Sequence, residues 1–347
     1  MITKVKLTDF RNFKSKVLDF SNNVTVIVGP NASGKTNILE SLFLLSTGKS
    51  FKAKIEEEMV NYDKDIARIK GKLLSGDILE SVLTRGLIDI GSNHPEKVAR
   101  KKLLVNGVGK RLIDFAGNFK VVIFGPQDLD LVTESPSLRR KFLDTALSQV
   151  DREYRRSILS YEKGLRQRNK LLFRIREEGI ARSQLAFWNQ LLIKSGDYIT
   201  NKREQFIDFV NNQPALNSQD FELNYDRSVI SEGRLEQYAE EEIAAATTLV
   251  GPHRDDFVFR EGLRNLASYG SRGEQRMGVL WLKIAELNFI EEITSERPTL
   301  LLDDIFSELD DEHRGVVMEL AKKQQTVITT ADKHFLKGMR VGVIIEL

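Results

Sequence analysis

The chain contains no cysteine, which excludes disulfide bonds, thiolate metal sites and cysteine nucleophiles. Its four histidines are scattered along the sequence and show no metal-ligand spacing. No stretch approaches the roughly 20 apolar residues that a membrane-spanning helix requires, and the N-terminus lacks the apolar core of a signal peptide. These absences favour a cytoplasmic protein with no membrane partner.

The remaining composition is that of a globular protein. The 347 residues are 41% apolar and 29% charged, and the formal net charge is only +2. This length gives room for about two domains with a sizeable core. The small net charge hides an uneven distribution, because residues 139–182 contain thirteen Lys and Arg against six Asp and Glu.

The most informative motif is a phosphate-binding loop of the form G-x-x-x-x-G-K-T. Its two glycines allow successive backbone N–H groups to turn toward the phosphates of a nucleotide. The lysine would reach the β and γ phosphates, and the threonine hydroxyl would bind Mg²⁺. The predicted nucleotide-binding residues of this loop are Gly29, Pro30, Asn31, Ala32, Ser33, Gly34, Lys35 and Thr36.

The flanks of the loop have the periodicity that such a site needs. Residues 24–28 form a short β-branched run, and residues 37–45 have the apolar spacing of a helix. A strand, a glycine-rich loop and a helix therefore follow one another, and the helix N-terminus is directed at the bound anion. We predict that the chain binds ATP together with Mg²⁺.

A second motif supplies carboxylates. Residues 299–304 read Thr-Leu-Leu-Leu-Asp-Asp, the Walker B form of a buried strand that ends in two acids. We expect this strand to lie beside the phosphate-loop strand, so that Asp303 binds Mg²⁺ through water and Asp304 deprotonates the attacking water. Asp303 follows Lys35 by 268 residues, an interruption for which a compact kinase or GTPase has no need.

A third motif lies between these two. The segment Ser271, Arg272, Gly273, Glu274 is similar to the Ser-Gly-Gly-Glu signature of ABC ATPases, with arginine in place of one glycine. The serine hydroxyl and the following helix N-terminus would form a second phosphate clamp. In ABC-type ATPases this clamp acts on the nucleotide of the other subunit, so the resemblance implies a homodimer that forms on ATP. A loop that merely caps a core helix is the alternative interpretation.

Shorter matches agree with an ABC-type site. Gln127 follows a predicted strand at residues 119–124, in the place of the Q-loop glutamine that senses Mg²⁺ and water. Ser307 and Asp310 bound a segment in the place of the D-loop. The position where ABC ATPases often carry a switch histidine reads Ala331-Asp332 instead, which implies slow hydrolysis.

The pattern of elements predicts an α/β fold, in which an ABC-type P-loop ATPase head is split in sequence by an inserted, mostly helical arm or lid domain. Sheet-like segments precede Ser135 and Pro136, which are a good helix start. Helical periodicity then continues to about residue 211. The predicted parts are the N-terminal part of the ATPase domain (1–134), the arm (135–247) and the C-terminal part of the ATPase domain (248–347).

Four further segments make the chain resemble the RecF family of SMC-like ATPases over essentially its full length: residues 7–13, 48–51, 137–144 and 250–257. The resemblance implies a cytoplasmic, ATP-dependent homodimer that binds double-stranded DNA near gaps. It implies action with RecR and RecO to help RecA load during gap repair and the SOS response. It also suggests that Arg11 and Asn12 lie near the nucleotide base.

Candidate DNA contacts come from the basic part of the arm and from the end of the phosphate-loop helix. They are Arg139, Arg140, Lys141, Arg166, Arg168, Lys170, Lys49 and Lys52. A solvated helix face is the competing interpretation of such a charge run. His253 and Arg254 are as well explained by a structural turn, and Phe187, Trp188 and Leu191 by the core of the arm.

Two other functions compete with DNA repair. An ABC transporter ATPase subunit would need a coupling surface for membrane helices and a shorter gap between phosphate loop and signature. A P-loop phosphotransferase acting on a small molecule would leave the Ser271 segment and the arm unexplained. Co-purification with membranes would support the first alternative, and substrate-dependent ATP turnover would support the second.

Overall fold

The computed structural model describes residues 1–88, 96–307, 309–332, 334 and 340–347. The chain divides into two compact units. The head unit comprises residues 1–128 and 290–347, and the arm unit comprises residues 129–289. None of the helices within the described ranges is long and apolar enough to cross a bilayer.

Strands are found in both units. They are β1 (Ile2–Phe10), β2 (Phe13–Asp19), β3 (Val24–Val28), β4 (Ile66–Leu73), β5 (Ile78–Thr84), β6 (Leu87–Ile88), β7 (Glu96–Lys97), β8 (Lys101–Val105), β9 (Val108–Lys110), β10 (Val121–Phe124), β11 (Phe221–Asp226), β12 (Asp256–Glu261), β13 (Arg264–Asn265), β14 (Thr299–Asp303), β15 (Thr326–Thr330) and β16 (Val343–Glu346). The helices are α1 (Lys35–Thr47), α2 (Leu112–Phe115), α3 (Asp130–Thr133), α4 (Pro136–Val150), α5 (Arg152–Glu178), α6 (Ala186–Asn211), α7 (Glu232–Gln237), α8 (Ala239–Ala245), α9 (Leu266–Tyr269), α10 (Arg272–Thr294) and α11 (Asp311–Ala321).

A parallel sheet forms the centre of the head unit. Its strand order is β10-β14-β15-β3-β16, and every pair is parallel. All residues of β3, β14 and β15 are buried, as their continuous apolar and β-branched sequences require. The carboxyl ends of these strands lie at one edge, where an α/β sheet places its ligands.

The predicted adjacency of the Walker B strand and the phosphate-loop strand is wrong. Strand β15 lies between them, with Ile328 paired to Leu302 on one side and to Val26 on the other. The three strands have similar apolar sequences, so composition does not fix their order. The carboxyl end of β15 therefore also lies at the edge that carries the carboxylates, between the ends of β14 and β3.

The head unit also contains a six-stranded antiparallel sheet, whose strand order is β2-β1-β4-β5-β8-β9. The predicted turn at Asn106 and Gly107 joins β8 to β9, and both residues have the positive φ that a two-residue hairpin needs. Alternation in β4 is strict, with every second residue buried. Its inward residues share a core with α1 and the parallel sheet, including Leu7, Leu42 and Leu301.

The arm unit is built on the antiparallel helices α5 and α6. They approach closely at Gly164, where an added Cβ would lie 3.1 Å from Leu192. The helix α4 begins at Pro136 as predicted, but the Ser135 hydroxyl contacts that of Ser137 and does not cap the backbone. The prediction that Phe187 belongs to the arm core is wrong, because 66% of this residue is exposed.

The second boundary between the units lies 42 residues later than the predicted return at 248, at 289/290. Sheet character does return at Asp256, but β12 pairs with β11 and β13 in a separate three-stranded sheet. This pairing holds residues 256–265 in the arm unit. The signature segment, which follows directly, therefore begins in the arm unit and not in the head unit.

Candidate nucleotide-binding site

The phosphate loop turns between β3 and α1 through backbone conformations that demand small residues. Gly34 has a φ of 106°, and a Cβ there would lie 2.7 Å from both Phe13 and Asn12. Asn12 donates a hydrogen bond to the carbonyl of Ser33 at 3.0 Å. The buried hydroxyl of Ser33 has no hydrogen-bond partner among the described residues. An unsatisfied donor inside the loop fits a phosphate oxygen as its missing partner.

Lys35 lies across the loop and is buried, with only 7% of its surface exposed. Its ammonium donates hydrogen bonds to the carbonyls of Gly29 at 2.8 Å and Pro30 at 3.0 Å. It is also the first residue of α1, whose N-terminus carries positive partial charge. The loop therefore concentrates cationic charge where a nucleotide would place its anionic phosphates.

The first Walker B carboxylate meets the phosphate loop directly. Asp303 accepts hydrogen bonds from the hydroxyls of Thr36 at 3.0 Å and Thr329 at 2.8 Å. Burial raises the pKa of Asp303 above its usual range, although these two hydroxyl bonds oppose the shift. A hydroxyl and a carboxylate are oxygen ligands of the type that Mg²⁺ prefers, so this pair fits the metal that the sequence implies.

The second carboxylate, Asp304, stands just past the end of β14 in a strained conformation. Its φ is 48°, a left-handed value that is uncommon outside glycine and tends to occur at functional sites. Its backbone N–H donates to the hydroxyl of Thr329 at 3.0 Å. The hydroxyl of Thr329 thus binds both Walker B positions.

Gln127 is exposed in a short 3₁₀ turn after β10. A Cβ added to Gly125 would lie 3.3 Å from Asp303 and 4.0 Å from the side-chain nitrogen of Gln127. The glutamine therefore reaches the same sheet edge as the Walker B pair, because β10 and β14 are neighbours.

A cavity of about 530 Å³ opens next to the loop. Arg11 is fixed at its wall by bonds of 2.8 and 2.6 Å to the buried carboxylate of Glu40. Lys52 donates to the side chain of Asn37 at 3.4 Å, and its charge lowers the pKa of Asp303 slightly against the effect of burial. The residues lining the cavity include Arg11, Asn12, Asn37, Lys52, Tyr62 and Arg85.

Several contributors to this region belong to none of the sequence motifs. Thr329 lies in an apolar strand, although a hydroxyl at the end of a buried strand is a usable signal. Tyr62 is 91% exposed at the cavity, and nothing in its local pattern marks it. Lys52, a predicted DNA contact, lines this cavity.

The signature segment in the arm unit forms a reciprocal cap at the start of α10. The Ser271 N–H donates to the Glu274 carboxylate at 2.6 Å, and the Glu274 N–H donates to the Ser271 hydroxyl at 3.3 Å. These bonds lower the pKa of Glu274. Ser271, Arg272 and Gly273 are exposed, so this helix end presents its hydroxyl and N–H groups to solvent.

Asp310 caps α11, since its carboxylate accepts from the N–H of His313 at 2.9 Å. The side chain of Ser307 and the whole of Glu308, which belong to the predicted D-loop, lie outside the described residues.

Comparison with known proteins connects this geometry to a family. A family model described as RecF/RecN/SMC N terminal domain matches residues 1–346. A DNA replication and repair protein RecF from Herpetosiphon aurantiacus is 35% identical, with 95% of this chain and 93% of the relative covered. The RecF of Moorella thermoacetica is 34% identical, with 99% and 91% covered. This chain belongs to the RecF family.

Solved structures agree with the RecF assignment. A recombination mediator RecF described as RecF-ATPrS matches with a TM-score of 0.88 at 30% identity, covering 100% of this chain and 96% of that one. A RecF-ATP structure gives 0.85 at 31% identity, covering 96% and 92%. An Smc head matches at 0.50 and 16% identity, which shows the shared ABC-type ATPase fold. The RecF assignment favours DNA repair over the transporter and phosphotransferase alternatives.

Two of the predicted DNA contacts are buried inside the arm unit of this RecF-family chain. Arg139 is 6% exposed and binds both carboxylate oxygens of Asp256, at 2.6 and 3.0 Å. Arg168 is 2% exposed and binds Glu242 at 2.6 Å and Thr248 at 2.8 Å. Both guanidinium groups are committed to internal partners, so neither residue belongs to an accessible DNA surface.

The other predicted DNA contacts differ in exposure. Arg140 is half-buried and donates to the carbonyl of Asp255. Lys141, Arg166, Lys170 and Lys49 are exposed. On α5, Arg166 and Lys170 are four residues apart and share one face with the exposed Lys163.

His253 has a structural environment. One ring nitrogen is 2.8 Å from the Tyr161 hydroxyl, and the other is 3.0 Å from the Thr248 carbonyl. Burial lowers the pKa of His253 to about 4, and the charges of Arg254 and Arg140 act in the same direction. The ring is therefore neutral near pH 7, which fits the interpretation of this segment as a structural turn.

Replacing Lys35 with alanine is expected to weaken ATP binding roughly 10- to 100-fold, because the loop loses its buried cation while the backbone amides remain. Titration with a fluorescent ATP analogue would measure the effect. Lys49→Ala, an exposed lysine just past the end of α1, serves as the control and should bind normally. Unchanged affinity in the Lys35 variant would contradict the assignment of the site.

Proposed function

We propose that this chain is an ATP-dependent DNA-binding protein of recombinational repair. The bond between Thr36 and Asp303 carries the proposal, because it joins two motifs 267 positions apart into one site within a RecF-family fold. The nucleotide is ATP, with Lys35 and the loop amides holding its phosphates and the cavity beside Arg11 and Asn12 receiving its nucleoside end.

Thr36 and Asp303 would hold Mg²⁺, with Gln127 near the same edge. When bound, this ion neutralises phosphate charge as it develops during cleavage. Asp304 orients a water and accepts its proton. Turnover is slow because Ala331-Asp332 stands where a switch histidine is often found, so the nucleotide acts chiefly as a switch.

The switch is a homodimer that forms on ATP. Ser271 and Gly273 are exposed at the N-terminus of α10, as a clamp for a second subunit's nucleotide must be. The dimer binds double-stranded DNA beside single-strand gaps in the cytoplasm. With RecR and RecO as partners, it helps to load RecA.

The in-trans clamp can be tested with Ser271→Arg. This change places bulk and positive charge at the clamp, so ATP should still bind the monomer but should no longer produce dimers. Sedimentation with ATP, compared with ADP, measures the shift. The substitution Tyr269→Arg, two residues earlier at another exposed position, is the control. A normal dimer in the Ser271 variant would exclude the clamp.

The DNA surface can be tested on the exposed face of α5. Reversing Arg166 and Lys170 to glutamate should lower the affinity for a gapped duplex and flatten its salt dependence by about 0.9 in log–log slope for each phosphate that is no longer neutralised. ATP affinity should not change. The control replaces two exposed lysines of the head unit, Lys64 and Lys323, with glutamate, so its net charge equals that of the Arg166/Lys170 variant. If affinity and slope match the control, the arm is not a DNA surface.

A further inference from the structure

A buried carboxylate stands behind the wall of the cavity beside the phosphate loop. Glu40 belongs to α1, five residues after Lys35, and none of its surface is exposed. Its oxygens accept hydrogen bonds from two nitrogens of Arg11, at 2.8 and 2.6 Å, and from the hydroxyl of Ser50 at 2.5 Å. Glu40 itself does not line the cavity. It reaches the cavity only through Arg11, which does.

Arg11 is held by more than this one carboxylate. Its third guanidinium nitrogen donates to the carbonyl of Glu58 at 2.5 Å, so three of its five N–H groups are used inside the protein. Its backbone carbonyl accepts from the side chain of Asn61 at 2.7 Å. The side chain is still 16% exposed, at the cavity wall. The guanidinium therefore meets the cavity in one fixed orientation.

The backbone at Arg11 would suit a different residue. Arg11 and Asn12 form the two-residue turn between β1 and β2, in which Phe10 pairs with Phe13. Arg11 has a φ of 52°, a left-handed value at which hairpin turns favour glycine or asparagine. Such strain tends to occur at functional sites. The side chain of Arg11, and not its backbone, therefore accounts for an arginine at this position.

We propose that Glu40 is a positioning residue for the nucleotide, which acts through Arg11 and does not touch the ligand. The inference rests on the proposed function, in which the cavity beside Arg11 receives the nucleoside end of ATP. Because Glu40 holds the guanidinium in place beforehand, this long side chain loses little further freedom when the nucleotide binds. A planar guanidinium fixed in this way can stack on a flat base.

The substitution Glu40→Gln tests the role of the carboxylate. Glutamine keeps the shape of the side chain but has one acceptor oxygen in place of two, so the bidentate bond to Arg11 is lost. The affinity for ATP should fall roughly 3- to 30-fold, the range expected when an arginine no longer contacts a ring. The affinity for inorganic triphosphate should stay within about twofold, because this ligand needs only the phosphate loop. Calorimetric titration of the full chain in the presence of Mg²⁺ measures both ligands.

The comparison of the two ligands separates positioning from a general loss of structure. The matched control is Glu80→Gln on β5, since Glu80 is 8% exposed, pairs with Arg68 at 2.8 Å and does not line the cavity. Breaking that ion pair should leave the binding of both ligands unchanged. If Glu40→Gln weakens ATP and triphosphate by the same factor, or weakens neither, the proposal is overturned.

A second variant covers the case in which Glu40→Gln folds poorly. The double substitution Arg11→Met/Glu40→Leu replaces the whole buried pair with apolar side chains, a change that is often neutral or stabilising. Thermal unfolding without ligand checks that it folds. This variant should bind ATP as weakly as Glu40→Gln is expected to, and should bind triphosphate normally. An affinity for ATP equal to that of the parent would also overturn the proposal.

Failure of the proposed function would give a different result. A parent chain that binds neither ATP nor triphosphate would contradict the nucleotide site itself. A parent chain that binds ATP no more tightly than triphosphate would contradict the cavity as the region that receives the nucleoside. If the parent prefers ATP and Glu40→Gln keeps the same preference, only the role of Glu40 is rejected.

Discussion

In the variant Asp304→Asn, the rate of ATP hydrolysis is expected to fall by at least about 100-fold, because a general base usually contributes a factor of this size. ATP binding is expected to remain. Asparagine keeps the size of the side chain and tolerates the left-handed backbone conformation found here, with a φ of 48°. The variant should therefore fold normally and accumulate as an ATP-bound dimer.

Single-turnover hydrolysis and ATP-dependent sedimentation measure the two expected effects of Asp304→Asn separately. The variant Asp303→Asn provides the contrast. The carboxylate of Asp303 contacts Thr36, so its loss should weaken the Mg²⁺-dependent binding of ATP itself, a step that precedes hydrolysis. Hydrolysis at the parent rate in the Asp304 variant would show that Asp304 is not the general base.

Arg168→Ala is expected to reduce the free energy of unfolding by about 3–5 kcal/mol, because it leaves the buried carboxylate of Glu242 without its partner. Glu242 is fully buried and also accepts a hydrogen bond from the N–H of Leu249. Urea denaturation monitored by tryptophan fluorescence would measure the change, since Trp188 lies in the same helix pair.

The matched control for Arg168 is Arg166→Ala, an exposed residue on the same helix, for which a change within about 0.5 kcal/mol is expected. Replacing both members of the buried pair, as Arg168→Met with Glu242→Leu, should recover most of the lost stability. Equal stabilities of Arg168→Ala and Arg166→Ala would show that the ion pair contributes nothing.

The meeting of the phosphate loop and the Walker B acids at one sheet edge could be predicted, because each lies in a short segment with a recognisable sequence. The loop from Gly29 to Thr36 needs glycines at fixed positions, and the acids after β14 follow an unmistakable apolar run. The order of the parallel strands could not be predicted in the same way. Strands β3, β14 and β15 have similar apolar sequences, and their pairing depends on contacts hundreds of residues apart.

Which basic residues of the arm are exposed could not be predicted from the sequence either. Spacing along α5 distinguishes its faces, but it does not say which partner lies against each face. Arg168 is buried because Glu242, 74 residues later, meets it on α8. The neighbouring Arg166 stays exposed, although both residues belong to the same basic run. Net charge over a segment therefore overestimates the cations available to a ligand.

The hydrogen bonds of the Thr329 hydroxyl predict how mutations at neighbouring residues should combine. This hydroxyl donates to Asp303 and accepts from the backbone of Asp304, so one oxygen connects the two acidic residues of the Walker B segment. Substitutions at these three residues should show epistasis, since each alters the bonds that the others make. A suppressor of a mild Asp303 defect is therefore to be sought at the end of β15, a strand without a nucleotide motif of its own.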